Sequence, residues 1–379
     1  MKTERRPLSL YLHIPFCVRK CLYCDFLSGP RTKEEQERYL SCLIREIRRE
    51  ADAYKDCLVE TVFVGGGTPS LLAPEWMERI LLTVSGSYHL AKDCEITIEA
   101  NPGTAPKPKL CSLFRMGVNR LSIGLQSAVD EELAALGRIH TFSDFLVTYE
   151  AAAEAGFTNI NVDLMSGIPL QSAESWTKTL ERVLSLGPAH ISAYSLIIEE
   201  GTYFYEHRPS LPDEETDRLL YRMTNEMLGA HGYHRYEISN YAREGFECRH
   251  NLVYWRRGEY AGFGLGAASL VGNARYRNCE DFDAYIGREG DCRQEENVLS
   301  VPEQMEEFMF LGLRLTRGVS NLDFRKAFGR TIQEVYPGIT EGLIGQGLLC
   351  RYKGEGDERF FLSERGLDVS NRVMAEFLF

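Results

Sequence analysis

The sequence has no stretch approaching the roughly 18 consecutive apolar residues that a membrane-spanning helix requires, so no span is expected. It lacks an excess of positive charge. Its 43 Lys and Arg stand against 55 Asp and Glu, for a net charge of −12. Phosphate backbones are held by basic surface, so nucleic acid is not expected as a partner, while local peripheral contact with a membrane is left open. The opening residues MKTERRPLSLYL carry bases but no apolar run ending in a small-residue cleavage site, so a cytoplasmic protein is expected. A disulfide framework is also not expected, because the 11 cysteines are odd in number and no secretory leader precedes them. Cys42, Cys57, Cys94, Cys111, Cys248, Cys279, Cys292 and Cys350 are scattered and read as core or surface positions. There is no long internal repeat and no low-complexity tract. What remains is an ordinary globular composition, 44% hydrophobic and 26% charged, over 379 residues. That is enough chain for one large α/β domain and a smaller one.

Strand-like and helix-like segments alternate through residues 8–231. The spacing predicts strands at 9–13, 61–64, 95–99, 120–125, 159–164 and 191–197, with helices at 34–54, 74–84, 142–155 and 175–186 among the connections. Six such repeats imply a parallel sheet with right-handed crossovers. A doubly wound sheet would gather its chemistry at one switch point, whereas a barrel assembles it from the carboxyl ends of several strands. Here polar and glycine-rich clusters follow every strand: Cys17 to Cys24, Gly65 to Pro69, Glu99 to Gly103, Gln126 and Ser127, Asp163, and Ser195 to Glu200. The expected fold is therefore α/β, a partial (β/α)6 TIM-like barrel spanning residues 1–235.

Residues 236–300 read as an irregular connecting region, and residues 301–379 as a small C-terminal unit. Helices are expected near 302–316, 322–328 and 332–346. A hairpin follows, 348–352 and 359–362 around a GEGDE turn. Helices followed by such a hairpin suggest a winged-helix-like module. From Ser300 onward, 10 basic and 12 acidic residues give 10 − 12 = −2, so a packing role is favoured over nucleic-acid binding.

Three cysteines are not scattered. Cys17, Cys21 and Cys24 form a CxxxCxxC pattern. Thiolates are the usual ligands of iron–sulfur clusters, and three of them hold three irons of a cubane while the fourth stays open. Structural zinc would need a fourth ligand, commonly from a second pair, and none is evident. His13 is near enough in sequence but falls inside a predicted strand. Downstream, Gly65-Gly66-Gly67-Thr68-Pro69 follows a strand, and such glycines let backbone approach a charged ligand closely.

YLHIPFCVRKCLYCDF resembles the cluster loop of radical S-adenosylmethionine proteins, in particular the group of oxygen-independent coproporphyrinogen III oxidases and their heme-chaperone relatives. GGGTPS, IEANPG, LSIGLQS, LGRIH and NVDLMSGIP occur in the same order, so the resemblance spans nearly the whole chain. It implies a [4Fe–4S] cluster on Cys17, Cys21 and Cys24, and S-adenosylmethionine held by Tyr11, Gly66, Gly67, Thr68, Glu99, Gln126, Arg138 and Asp163. It further implies reductive chemistry, hence an electron donor.

Two features bear on the branch. The oxidases carry a fourth cysteine two residues after the third, where this chain has Phe26, and the ten residues before Tyr11 are shorter than the oxidases' N-terminal extension. His250-Asn251-Leu252-Val253-Tyr254-Trp255 reads HNxxYW, which resembles the heme-chaperone signature. A neutral imidazole can ligate heme iron, and rings such as Tyr254 and Trp255 can pack on a porphyrin. A satisfied loop histidine with two core aromatics is the alternative. Residues 262–266, GFGLG, read as either a close-approach loop or a flexible connection. The implied function is a heme chaperone that binds cluster, S-adenosylmethionine and heme and passes heme to acceptor proteins, with a homodimer left open. The competing reading is a radical enzyme acting on a tetrapyrrole, by coproporphyrinogen decarboxylation or heme modification.

Overall fold

The structure, a computed structural model, describes residues 5–354 and 356–378. Residues 1–4 of the N-terminal lead, Glu355 of the GEGDE turn and Phe379 lie outside the described residues. Six strands run parallel in sequence order: β1 (Arg6–Ile14), β2 (Cys57–Gly66), β3 (Leu90–Ala100), β4 (Arg120–Gln126), β5 (Asn159–Ser166) and β6 (His190–Ser195). Helices return the chain between them. Lys33–Glu50 opens on a capping box, with Thr32 Oγ1 accepting from the Glu35 N–H at 3.2 Å. Phe142–Ala155 and Ala173–Leu186 open on boxes at Thr141 and Ser172, and both stop at left-handed glycines, Gly156 and Gly187.

Side chains alternate across each strand. On β1, Leu8, Leu10, Leu12 and Ile14 are buried outward in the same core as Leu43 and Ile47 of the helix Lys33–Glu50. Ser9, Tyr11 and His13 point the other way, into the barrel. Both faces of the parallel sheet are therefore covered, as its crossovers require.

Residues 236–300, expected to be irregular, instead contribute strands to the sheet, together with a short strand just before them. β7 (His234–Arg235) and β8 (Asn240–Ala242) pair antiparallel and extend the sheet beyond β6. β9 (Tyr260–Phe263) pairs parallel with β1, and β10 (Ala268–Val271), β11 (Ala274–Asn278) and β12 (Arg293–Val298) continue from it. The result is a twelve-stranded sheet. These strands are short, and β12 is exposed along its length, so no hydrophobic alternation announces them. The return of β12 beside β11 also joins Cys279 and Cys292 in a disulfide, a pairing that the scattered sequence positions hid; the other nine cysteines are free thiols.

The GFGLG segment is a close-approach loop. A Cβ on Gly264 would stand 2.5 Å from the Tyr39 hydroxyl and 2.8 Å from the His13 carbonyl oxygen. Glu46, buried on the helix Lys33–Glu50, accepts from Gly264 N–H (2.9 Å), Asn278 Nδ2 (2.6 Å) and the Tyr285 hydroxyl (2.5 Å). Burial raises this carboxyl to about 7.

The C-terminal unit contains the helices Val301–Gly312, Asn321–Phe328, Ile332–Val335 and Ile339–Gly345 and a three-stranded sheet of β13 (Val319–Ser320), β14 (Leu349–Lys353) and β15 (Glu358–Leu362). One helix was expected over 332–346. Pro337 and the left-handed Gly338 divide it in two. The unit has its own core, including Met309, Phe324, Tyr336, Phe360 and Phe377. It is fastened to the barrel by polar contacts. Glu307 accepts from Arg257 Nε at 3.0 Å and pairs with Arg275, while the Arg314 guanidinium lies 4.4 Å from the Trp255 ring centre and 3.9 Å from buried Glu237.

Glu46→Ala is expected to destabilise the protein by about 2–4 kcal/mol, because it leaves buried donors without an acceptor. Urea unfolding checks this, and Glu46→Gln, which keeps an acceptor, should lose less.

Candidate cofactor site

The site is built on the inward faces of the six strands. At spacing two, the positions are Tyr11 and His13 on β1, Phe63 and Gly65 on β2, Thr97 and Glu99 on β3, Ser122 and Gly124 on β4, Asn161 and Asp163 on β5, and Ser192 and Tyr194 on β6. Beyond their carboxyl ends opens a cavity of about 420 Å³. It is lined by Cys17, Cys21 and Cys24, by Gly66 and Gly67, and by Glu99, Gln126, Arg138 and Asp163. Eleven positions were expected to hold the two cofactors, and this cavity brings nine of them onto one surface. Thr68 and Tyr11 stand just behind it. Thr68 Oγ1 is 3.5 Å from Cys17 Sγ, and the Tyr11 hydroxyl is 3.0 Å from His13 Nδ1.

The cluster loop is held at several points along its length. Cys17 N–H donates to the Gly29 carbonyl (3.0 Å), Leu22 N–H to Leu136 (3.1 Å), and Thr68 N–H to the Phe16 carbonyl (2.7 Å). The three cysteines are half-buried free thiols, and burial raises that of Cys24. Among the described residues, no group of His, Cys, Asp and Glu converges as a cage for a single metal ion. A cluster makes no such demand, since its thiolates are spread over three irons. His13 is not a fourth ligand here. Its Nε2 lies 3.1 Å from the Leu27 carbonyl oxygen and its Nδ1 faces Tyr11, so both nitrogens are engaged.

The glycine strip fits a bound group for steric reasons. A Cβ on Gly66 would stand 2.5 Å from the His13 ring, and one on Gly67 2.6 Å from the Phe16 carbonyl oxygen. Only glycine lets this backbone lie flat against the cluster loop while keeping one face toward the cavity. Arg138 crosses the mouth. Its Nη1 is 3.5 Å from Cys21 Sγ, its Nη2 donates to Asn101 Oδ1 at 2.7 Å, and its buried Nε has no protein partner among the described residues. The residues present thus suit a three-cysteine cluster with a charged amino acid group beside it.

Two carboxyls face this cavity from depth. Burial first, then the neighbouring Asp163, raises Glu99 to about 8, although its Oε2 accepts from Gly66 N–H at 2.9 Å. Burial likewise raises Asp163, against hydrogen bonds from Asn161 (2.7 Å) and Ser122 (3.2 Å). Protonated or ionised, Glu99 has an oxygen that can accept from ribose hydroxyls; a cationic ligand would draw both carboxyls back toward ionisation. Gln126 holds a left-handed backbone (φ 75°), and its Oε1 accepts from the Tyr194 hydroxyl at 3.2 Å. Sequence reasoning missed Asn101, Ser122 and Tyr194. The signals were present: Asn101 stands in IEANPG, Ser122 in LSIGLQS, and Tyr194 is on the polar alternation His190, Ser192, Tyr194.

HNxxYW lies at the other end of the barrel. The helix Arg249–Trp255 closes the floor, with the N–H groups of Arg249 and His250 both 3.1 Å from the Glu95 carboxylate. Thr61 and Glu95 precede Gly65 and Glu99 by four residues on the same inward faces, which places the helix one layer below the cofactor cavity. Asn251 to Trp255 are half-buried, and His250 is 1% exposed. An open heme pocket around His250, Tyr254 and Trp255 is therefore not what the structure presents, because the imidazole is sealed beneath its own helix.

The bonds around that imidazole fix its proton. Thr61 Oγ1 donates to Ser9 Oγ (2.7 Å), so it must accept from His250 Nδ1–H at 2.7 Å. Nε2 then carries a bare lone pair, which accepts from the Tyr254 hydroxyl at 2.8 Å. Burial lowers His250 to about 3, so the ring stays neutral. Its face stacks on Phe63 (5.1 Å), which in turn stacks on Tyr11 (6.2 Å).

Glu99→Gln should flatten the pH dependence of stability of the cofactor-free protein. As pH rises from the ordinary carboxyl value toward about 8, the unfolded chain releases this proton while the folded chain keeps it. Wild-type stability therefore falls across that window, by at most ~1.4 kcal/mol per pH unit from this group, and the glutamine variant lacks that slope. Urea unfolding at pH 5, 6.5 and 8 measures it.

A sequence model described as the Radical SAM superfamily matches residues 11–183, and one described as the HemN C-terminal domain matches residues 299–369. The heme chaperone HemW of Bacillus subtilis is 36% identical over 378 residues, covering 98% of this chain and 99% of its own. HemW of Escherichia coli is 35% identical, with 98% of each chain covered. The mitochondrial radical S-adenosyl methionine domain-containing protein 1 of mouse is 34% identical, covering 91% of this chain and 84% of its own. Among solved structures, the coproporphyrinogen III oxidase HemN of Escherichia coli, a radical SAM enzyme, matches with a TM-score of 0.86 at 23% identity, covering 99% of this chain and 91% of that one, which shows a shared fold. With identities of this size over almost the whole length, the chain belongs to the radical SAM superfamily and, within it, to the family of the heme chaperones HemW.

Proposed function

We propose that this protein is a heme chaperone: it binds heme and delivers it to heme-accepting proteins in the cytoplasm, with a [4Fe–4S] cluster and S-adenosylmethionine seated at the barrel mouth. Membership of the superfamily implies the cluster and S-adenosylmethionine. The full-length likeness to proteins named heme chaperones supports the cargo. In this reading residues 1–235 carry the cofactors, residues 236–300 carry the HNxxYW contact with heme, and residues 301–379 form the winged-helix-like unit.

The observation that carries the heme assignment on this chain is the tautomer of His250. Thr61 fixes the proton on Nδ1 and leaves the lone pair on Nε2, which is the form that binds iron. Tyr254 covers that lone pair, so heme binding requires its hydroxyl to leave and the floor helix to open. Trp255 and Tyr254 then supply aromatic surface to the porphyrin.

At the mouth, Cys17, Cys21 and Cys24 would hold the cluster, which when bound supplies an electron to the sulfonium. Glu99 would accept the ribose, Arg138 and the strip Gly66-Gly67-Thr68 would orient the amino acid end, and Tyr11, Gln126 and Asp163 would complete the walls. Phe26, 58% exposed on the cavity rim, has no thiol to offer where the oxidases carry their fourth cysteine, so porphyrinogen decarboxylation is not proposed.

Anaerobically reconstituted protein should give a stable Soret band with heme, and S-adenosylmethionine should perturb the EPR signal of the reduced cluster. A holo-protein without a Soret band would end the chaperone reading. His250→Ala should abolish that band. Tyr254→Phe, which uncovers Nε2, should tighten heme binding by about threefold or more, the loss of one buried hydrogen bond.

A further inference from the structure

Asn101 was not among the expected site residues, yet it touches the partners of two cluster cysteines. Its Oδ1 accepts from Arg138 Nη2 at 2.7 Å, and its Nδ2 donates to Thr68 Oγ1 at 2.8 Å. Those partners reach the thiols: Arg138 Nη1 lies 3.5 Å from Cys21 Sγ, and Thr68 Oγ1 lies 3.5 Å from Cys17 Sγ. We infer that Asn101 is a positioning residue that aims the hydrogen bonds of Thr68 and Arg138 at the sulfurs of Cys17 and Cys21 and thereby raises the reduction potential of the cluster.

The direction of each bond follows from donor chemistry. A guanidinium can only donate, so the atom of Asn101 facing Arg138 must be its oxygen. The amide nitrogen therefore faces Thr68. Because the threonine oxygen is already accepting from that nitrogen, its own proton is free for Cys17. A threonine facing a second acceptor could turn its proton away from the sulfur; facing an amide N–H, it does not gain by doing so.

The hub is held in place from both sides. Thr104 Oγ1 donates to the Asn101 carbonyl at 2.6 Å, and Lys109 Nζ holds the carbonyl oxygens of Ser70 (2.7 Å) and Thr104 (3.3 Å). Across from it, Gly124 leaves the space the amide occupies: a Cβ there would stand 3.0 Å from Asn101 Oδ1 and 3.1 Å from Arg138 Nη2. Hydrogen bonds to cluster sulfurs stabilise the extra negative charge of the reduced state, so donors aimed at them raise the potential. The inference rests on Cys17, Cys21 and Cys24 as cluster ligands and is independent of heme.

The test is an EPR-monitored redox titration of the reconstituted cluster, without S-adenosylmethionine, in wild type, Asn101→Ala, Asn101→Leu, Thr68→Val and the Asn101→Leu/Thr68→Val double variant. Leucine keeps the branched shape of asparagine while removing its donor and acceptor, and alanine removes them without adding bulk. Loss of iron and sulfide content in Cys17→Ala, Cys21→Ala and Cys24→Ala tests the ligand assignment on its own. The expected result is a more negative midpoint in both Asn101 variants at wild-type cluster content, with the double variant shifted by less than the sum of the singles. Wild-type midpoints in the Asn101 variants would overturn the inference. Additive shifts in the double variant would overturn it too, since Asn101 would then not act through Thr68.

Discussion

One buried cation stands at the centre of this molecule. Arg120, 2% exposed, opens β4 inside the barrel and interacts electrostatically with Glu95 toward the floor and Asp163 toward the mouth. A charge removed from water needs opposite charge and hydrogen bonds close by, or the site collapses into a different protonation state. Arg120 lets both acids stand inside the barrel. It also helps hold His190 and His250 neutral, after burial has done most of that work.

From that balance the two ends of the barrel acquire different characters. On the floor, Glu95 caps a short helix and orders HNxxYW. At the mouth, Asp163 and Glu99 face the glycine strip and the three cysteines. Between them runs a polar layer in which Asn161 donates to Ser122 and Asp163 and accepts from His190 and Ser192. Phe63 links the layers by stacking on His250 below and Tyr11 above. The C-terminal unit meets the same floor through Arg314 and Trp255.

Much of this was legible from particular residues. The six parallel strands followed from runs such as Arg120 to Leu125, whose apolar residues recur at the spacing of two that a strand with one apolar face shows. The cluster loop was legible because cysteines at CxxxCxxC are rare outside metal chemistry, and the cavity gathers them with Gly66, Gly67, Glu99, Gln126, Arg138 and Asp163. The strands after residue 232 were not legible, because they are short and partly exposed, and β9 and β8 join the sheet through β1 and β6, far earlier in the sequence. The disulfide was hidden because the short strands β11 and β12 that bring Cys279 to Cys292 were themselves not legible, and the break at Pro337 and Gly338 was hidden because its flanks continue one helical pattern.

The amino-acid sequence by itself determined the fold class, the cysteine triplet and the glycine strip, because each is a local pattern: a strand period, a cysteine spacing, a backbone that tolerates no side chain. Only the tertiary structure decided what the neighbours of those residues do. It sealed His250 beneath its helix with the proton on Nδ1, raised Glu99 by burial beside Asp163, and set Asn101 between Thr68 and Arg138. Protonation, burial and hydrogen-bond direction depend on groups that the chain brings together across dozens or hundreds of residues, and no local pattern carries that information.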